Sequence, residues 1–297
     1  MTERHRPPSF AWRSLCLAFL ALAPACGASQ AGPTAPDPTG RSLRNPTSMH
    51  AHQRDWPDAC RLGELQSPIS LSSTDFVDAP SETLAAHFGR SEVALLDTGH
   101  TLQLRVLTSE DAVTFEGVTY ALRQVHFHKP SEHIIDGHQA PMEMHVVWVS
   151  LEGRVLVLGY PIEVGADHPV IAALWPHLED REGYGEDMSP DHAWERAIET
   201  SELDLTFGEH GEHLLADRVE LRLGDLLPAR SDFFVYEGSL TTPACDEGVT
   251  HAVSSTPVFW SDAQIERFEG YYEGNNRDLQ PLGSLTTRRL RRAILRP

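Results

Sequence analysis

The ten residues QVHFHKPSEH, Gln124 to His133, hold three histidines and a carboxylate. On a β-strand, side chains two apart share a face. Gln124, His126 and His128 then point one way, while Val125 and Phe127 point the other, into apolar packing. The two imidazoles stand about 7 Å apart at their bases, two strand rises, near enough to converge on one ion. The run MEMHVVW reads the same way, with Glu143, His145 and Val147 on one face. Gly137 and Pro141 lie in the connection, so an antiparallel neighbour is the simple arrangement, offering three imidazoles to one point. Three neutral imidazoles leave a fourth tetrahedral position open, the pattern of a catalytic zinc rather than a structural one.

H-x-H alone also fits a half-buried strand with polar residues outward. Extended to H-x-H-x-x-x-E, through Glu132, it resembles the opening of a cupin metal motif. The second cupin motif sets a glycine two or three residues ahead of its histidine. That pattern is missing around His145, and Gly137 comes too soon after Glu132.

The elements that must position these residues read as strands. LQLRVLT, VTFEGVTYALRQVHFH, MEMHVVWVSL, RVLVLGYPIEV and VTHAVSSTPVFW are rich in Val, Leu, Thr and aromatics and are separated by turn residues. One helix is expected over Ser261–Tyr271, with Ser261 as N-cap and Gln264 completing a capping box. The stretch Glu179–Glu212 is acidic and polar. It reads as a surface insertion with a short helix around Trp194–Ile198. No internal repeat is evident, and residues 53–297 read as one mostly β domain.

The formal charge of −19 argues against nucleic-acid binding, which needs basic patches to replace counterions. Arg4, Arg6 and Arg13 precede the apolar run LCLAFLALAPAC, too short to span a bilayer comfortably. Charged, apolar, then small residues are the layout of a secretory signal peptide, assigned to residues 1–25. Ala23–Gly27 resembles a bacterial lipobox in which Cys26 is acylated. A bulky aliphatic residue is usual where Ala23 stands, and plain cleavage for export is the alternative. Residues 26–52, rich in Pro, Gly, Ser, Thr and Ala, read as a flexible linker. The product is expected in the periplasm or anchored to the cell envelope as a lipoprotein. With Cys16 in the leader and Cys26 at its end, Cys60 and Cys245 remain in the mature domain. In an oxidising compartment they are most simply one disulfide, the alternative being two unpaired thiols.

Seven ordered segments decide between the metal readings: QSPI (Gln66–Ile69), TGH (Thr98–His100), QVHFHKPSEH, MEMHVVW, VLVLG (Val155–Gly159), YEGSLTTPAC (Tyr236–Cys245) and NNRDLQPL (Asn275–Leu282). Together they resemble an α-class carbonic anhydrase of the exported bacterial type, over most of residues 60–282. The resemblance implies an α+β but mostly β single domain, with a central, largely antiparallel ten-stranded sheet and short peripheral helices. It implies zinc-dependent, reversible hydration of carbon dioxide to bicarbonate and a proton, with inhibition by sulfonamides and anions. A silent binding module of the same fold would usually lack a ligand histidine, and all three are present.

By this resemblance His126, His128 and His145 are the zinc ligands, and Gln124 and Glu143 orient two of them. Asn275 offers a backbone carbonyl to another ligand, and His133 links Glu143 to Tyr236. Thr241 donates its hydroxyl to Glu132, so it can only accept from the attacking hydroxide, and Thr242 lies near the bicarbonate. Val147, Val157 and Leu240 form the apolar wall for carbon dioxide. His100 matches the proton shuttle, suited by a histidine pKa near working pH, and Gln103 helps order the water chain.

Three departures stand out. His251 occupies a position where the family usually has a tryptophan closing the apolar pocket. A wetter or reshaped pocket and a lower turnover are expected, which His251→Trp should reverse. Ala244 replaces a proline, so a cis bond there would lose its cheap isomer. The tyrosine that ordinarily orders active-site water has no clear counterpart around Trp56.

Overall fold

The computed structural model describes residue 50 and residues 53–76, 81–179, 213–272, 274–283 and 288–296. The expected leader, the linker apart from His50, the tentative lipidation site Cys26 and the insertion from residue 180 to 212, with its expected short helix, lie outside the described residues. Among the described residues no helix is long and apolar enough to cross a membrane.

Among the described residues fifteen strands follow in chain order: β1 (Ser70–Leu71), β2 (Ser81–His87), β3 (Ser91–Asp97), β4 (Leu102–Ser109), β5 (Ala112–Phe115), β6 (Val118–His128), β7 (Ile134–Ile135), β8 (His138–Gln139), β9 (Met142–Ser150), β10 (Val155–Val164), β11 (His213–Leu221), β12 (Asp232–Ser239), β13 (Glu247–Ser254), β14 (Val258–Trp260) and β15 (Arg291–Arg296). Twelve form one sheet, and β1, β7 and β8 form a small second one. The main sheet is largely antiparallel, with parallel pairs at β10–β13, β10–β14 and β15–β2. The fold class is the expected one. The strand count is twelve rather than ten; short pieces such as β5 and β14 pair as separate strands and add to the count.

β6 and β9 lie at the centre. β9 pairs with β6 on one side and β10 on the other, both antiparallel. Alternation divides β6 by face. Val125 and Phe127 join the main apolar core, while Gln124, His126 and His128 line the opposite face. Phe127 meets Trp260 edge-on at 5.1 Å between ring centroids and Phe268 at 6.2 Å. Phe268 lies on the helix Asp262–Glu269, which thus packs behind the strand that carries the histidines. That helix begins with the expected reciprocal capping box between Ser261 and Gln264.

The ligand face continues across the sheet through Val147, Val157 and His251, aligned by register. Gly159 permits one close approach there, since a Cβ at that position would stand 2.9 Å from Glu143 Oε1. Cys60 and Cys245 form a disulfide with Cα atoms 5.0 Å apart, bridging 185 positions. The peptide bond Pro243–Ala244 is cis, as are Ser67–Pro68 and Lys129–Pro130.

Candidate metal centre

His126 and His145 are register partners across β6 and β9, and His128 lies one pleat further along. All three are buried, and each offers a ring nitrogen within 4.8 Å of the others. The remaining ring nitrogens are held. His126 Nδ1 donates to Gln124 Oε1 at 2.8 Å, His128 Nδ1 to the Asn275 carbonyl at 2.9 Å, and His145 Nε2 to Glu143 Oε1 at 2.8 Å. In neutral imidazoles these bonds leave bare lone pairs at His126 Nε2, His128 Nε2 and His145 Nδ1.

The donor set fits a metal ion. His128 Nε2 is buried without a hydrogen-bond partner. His126 Nε2 and His145 Nδ1 face each other at 3.3 Å, where two lone pairs repel unless a cation lies beside them. Nitrogens bound tetrahedrally at roughly 2.0–2.1 Å are separated by about 3.3–3.4 Å. Burial and neighbouring histidines lower the His126 pKa well below its ordinary value, and burial lowers that of His128 to about 4. Both rings are therefore neutral near pH 7, the form that binds metal.

Burial raises the Glu143 carboxylate's pKa, but electrostatic interaction with His133 and hydrogen bonds from His133 and His145 overcome it and hold it well below the usual range. Its oxygens accept four bonds. Oε1 takes His133 Nδ1 at 2.7 Å as well as His145, and Oε2 takes Ser131 Oγ at 2.7 Å and the His133 amide at 2.8 Å. His133 Nε2 reaches Tyr236 Oη at 2.7 Å, and that hydroxyl donates to Ser67. His133, Glu143 and His145 thus form a hydrogen-bonded brace behind the ligand trio. Their proximity needs no second ion.

Glu132 lies beside two of the imidazoles, with Oε1 3.6 Å from His128 Nδ1 and Oε2 3.9 Å from His145 Nδ1. Burial raises its pKa; electrostatic interaction with His145, the Arg277 amide and the Thr241 hydroxyl lower it. Oε1 accepts the Arg277 amide at 2.7 Å, while Oε2 completes no hydrogen bond. Val147, Val157 and Leu240 pack with Val155 and Val249 into one apolar cluster, and Thr242 is buried.

Gln103 pairs opposite His126 from β4. His100 is half-buried in the turn between β3 and β4, its Nδ1 3.3 Å from Thr98 Oγ1. Desolvation, chiefly, lowers its pKa to about 4, below the value expected of a shuttle matched to neutral pH. Sequence reasoning assigned nothing to His50, a buried imidazole with no partner on either nitrogen among the described residues, 6.3 Å from the His100 ring.

Arg277 was also left without a role, although it lies inside NNRDLQPL. Its guanidinium is buried and donates to the carbonyls of Cys60, Ser67 and Leu240 and to Gln66 Oε1. His251 is buried, its pKa lowered to about 3 first by desolvation. Its ring stacks on Tyr236 with a 10° interplanar angle, 5.1 Å between centroids.

Comparison with known proteins places this geometry in context. The family model for eukaryotic-type carbonic anhydrase matches residues 50–172 and 197–293. A carbonic anhydrase of Klebsiella pneumoniae is 32% identical over 225 residues, covering 75% of this chain and 79% of that protein. Among solved structures, the α-carbonic anhydrase of Thermovibrio ammonificans, in complex with the inhibitor sulfanilamide, aligns with a TM-score of 0.57 at 29% identity. It covers 80% of this chain and 89% of its own. That of Photobacterium profundum aligns with a TM-score of 0.57 at 27% identity, covering 83% and 96%.

Proposed function

Because this chain belongs to the eukaryotic-type carbonic anhydrase family, we propose that it catalyses the reversible hydration of carbon dioxide to bicarbonate and a proton, with zinc held by His126, His128 and His145. The convergence of three bare imidazole lone pairs, each fixed by a bond on the other ring nitrogen, carries this reading. When bound, zinc lowers the pKa of water to about 7, a general value for which carbonic anhydrases are themselves the standard example, not one derived from this chain.

The chain's own residues do the rest. Gln124, Glu143 and the Asn275 carbonyl keep the three rings in the tautomers that leave their lone pairs inward, and His133 braces Glu143. Glu132 biases the Thr241 hydroxyl to donate towards its carboxylate. The Thr241 oxygen then accepts the hydrogen of the attacking oxygen and turns that atom's lone pair towards carbon. Val147, Val157 and Leu240 exclude water and take the apolar substrate. Thr242 lies at the bicarbonate. His100, neutral at working pH, accepts the departing proton and releases it at its exposed side, with Gln103 ordering water along the way.

The disulfide supports an oxidising compartment. We place the mature domain, residues 53–297, outside the cytoplasm after removal of a leader over 1–25. Residues 26–52 serve as linker, and Cys26 is the attachment point if a lipid anchor is added. Sulfonamides and small anions are the expected inhibitors.

A stopped-flow carbon dioxide hydration assay tests the reading. Activity should vanish with a chelator, return with zinc, and fall with sulfanilamide. Absent activity at full zinc occupancy would overturn it in favour of a silent binding module.

A further inference from the structure

His251 is held in a single tautomer. Its Nε2 lies 2.8 Å from the Ser239 carbonyl oxygen, which can only accept, so Nε2 carries the proton. In the neutral ring Nδ1 is then a bare acceptor, and it is buried with no partner. A second proton there would create a buried, unpartnered cation, which is costlier still.

The ring's placement says where that acceptor faces. His251 stands between Tyr236 on β12 and Val157 on β10. The Nε2–Cδ2 edge turns towards β12. Besides the bond to Ser239, Cδ2 is the atom that a Cβ at Gly238 would meet at 3.1 Å. Nδ1 occupies the opposite edge. Val157, the register partner of His251 on β10, is a member of the apolar cluster with Val147 and Leu240. The rings of His133 and His145 are 5.7 and 6.4 Å away. Both nitrogens of His133 and Nε2 of His145 are already engaged. Among the described residues no protein donor satisfies Nδ1, and buried polar groups rarely go without a partner, which leaves a ligand or water to supply one.

We propose that His251 is a specificity-determining residue of the substrate pocket, whose Nδ1 selects ligands presenting a hydrogen-bond donor, such as water or the O–H of bicarbonate, over proton-free anions. This rests on the metal-site reading above. A lone pair at the apolar wall repels a bare anion and rewards a donor, so the pocket discriminates between two classes that an aromatic hydrocarbon would treat alike.

Two measurements test it. In the 15N-labelled wild-type chain, long-range 1H–15N spectra should show His251 with Nε2 protonated and Nδ1 bare, assigned by through-bond correlation of the ring to its own backbone. The reverse tautomer or an imidazolium overturns the proposal, and this readout does not depend on how well the variant folds. Calorimetry on the zinc-loaded wild type and His251→Phe then compares thiocyanate, which has no proton, with sulfamide, which carries N–H donors. The substitution should shift the ratio of the two affinities towards thiocyanate by about tenfold. An unchanged ratio overturns the proposal. Failure of both probes to bind either form overturns the metal-site reading first, and the proposal with it.

Discussion

His126 and His145 stand opposite each other across β6 and β9, with the nitrogens that lack protons 3.3 Å apart. Such a contact is unfavourable on its own and becomes favourable with a cation beside both. A metal ion bound there would contribute to holding β6 and β9 together, and the groups behind the rings would control how well it is held.

Glu143→Gln replaces the carboxylate behind His145 with a group that can present an N–H to it. Zinc affinity should fall by roughly 10–100-fold, as for other groups that orient a ligand histidine. Competition with a chromophoric chelator measures this, and an unchanged affinity would show that the brace through His133 and Ser131 has no bearing on the metal.

His100→Ala should lower the maximal hydration rate while leaving kcat/KM nearly unchanged, because proton release follows the chemical step. Exogenous imidazole should restore much of the lost rate. The effect of general acid–base groups is typically about 10²–10⁴-fold. The lowered pKa of His100 predicts the smaller end of that range, since a weakly basic imidazole is a poorer proton acceptor. Equal losses in both kinetic parameters would assign His100 to another role.

Buried imidazoles give the metal-free protein a defined pH profile. His128 and His251 have folded pKa values lowered to about 4 and about 3, first by burial. Between those values and the unfolded value near 6.5 the unfolded chain binds more protons. Stability is thus full above about pH 6.5 and is lost as pH falls, by up to about 1.4 kcal/mol per pH unit for each such ring. Glu143, held below the usual range, extends the loss in the same direction, whereas Glu132, raised by burial, opposes it. Denaturation midpoints of the metal-free chain should fall steadily from pH 6.5 to 4, and less steeply in His251→Phe.

Reducing Cys60–Cys245 opens a loop of 185 positions. The chain-entropy contribution lost is about 5 kcal/mol, an upper figure because real bridges usually deliver less. Denaturant titration of the oxidised chain and of Cys60→Ser, Cys245→Ser measures it. Activity should fall too, because Cys245 ends the segment carrying Leu240, Thr241 and Thr242.

Period-two alternation was the most legible signal. It grouped Gln124, His126 and His128 on one face and Glu143, His145 and Val147 on another, and β6 and β9 bring those faces together. It extended no further than the strands. Ser131 and the His133 amide approach Glu143 from a turn, and the Asn275 carbonyl and Arg277 amide arrive from an irregular segment. Backbone groups leave no trace in side-chain pattern, so only the ordered family motifs pointed to these regions. The same limit applies to His50 and to the pKa of His100, which depend on long-range burial. Strand count was equally beyond reach, since fragments such as β14 are defined by their partners.

Arg277 ties together parts of the chain that are made far apart in time. Its guanidinium fastens the Cys60 and Ser67 carbonyls to the Leu240 segment, and its amide holds Glu132. Two residues earlier, Asn275 supplies the carbonyl behind His128. During synthesis, strands β6 and β9 leave the ribosome well over a hundred residues before these clamps exist. Gln124 and Glu143 are by then in place behind His126 and His145, but His128 is unaimed, and a chain halted short of Asn275 carries an incomplete socket. Domains generally acquire structure from the N-terminal side first, yet here the third ring of the candidate metal centre is aimed only once Asn275, close to the last strand, is in place.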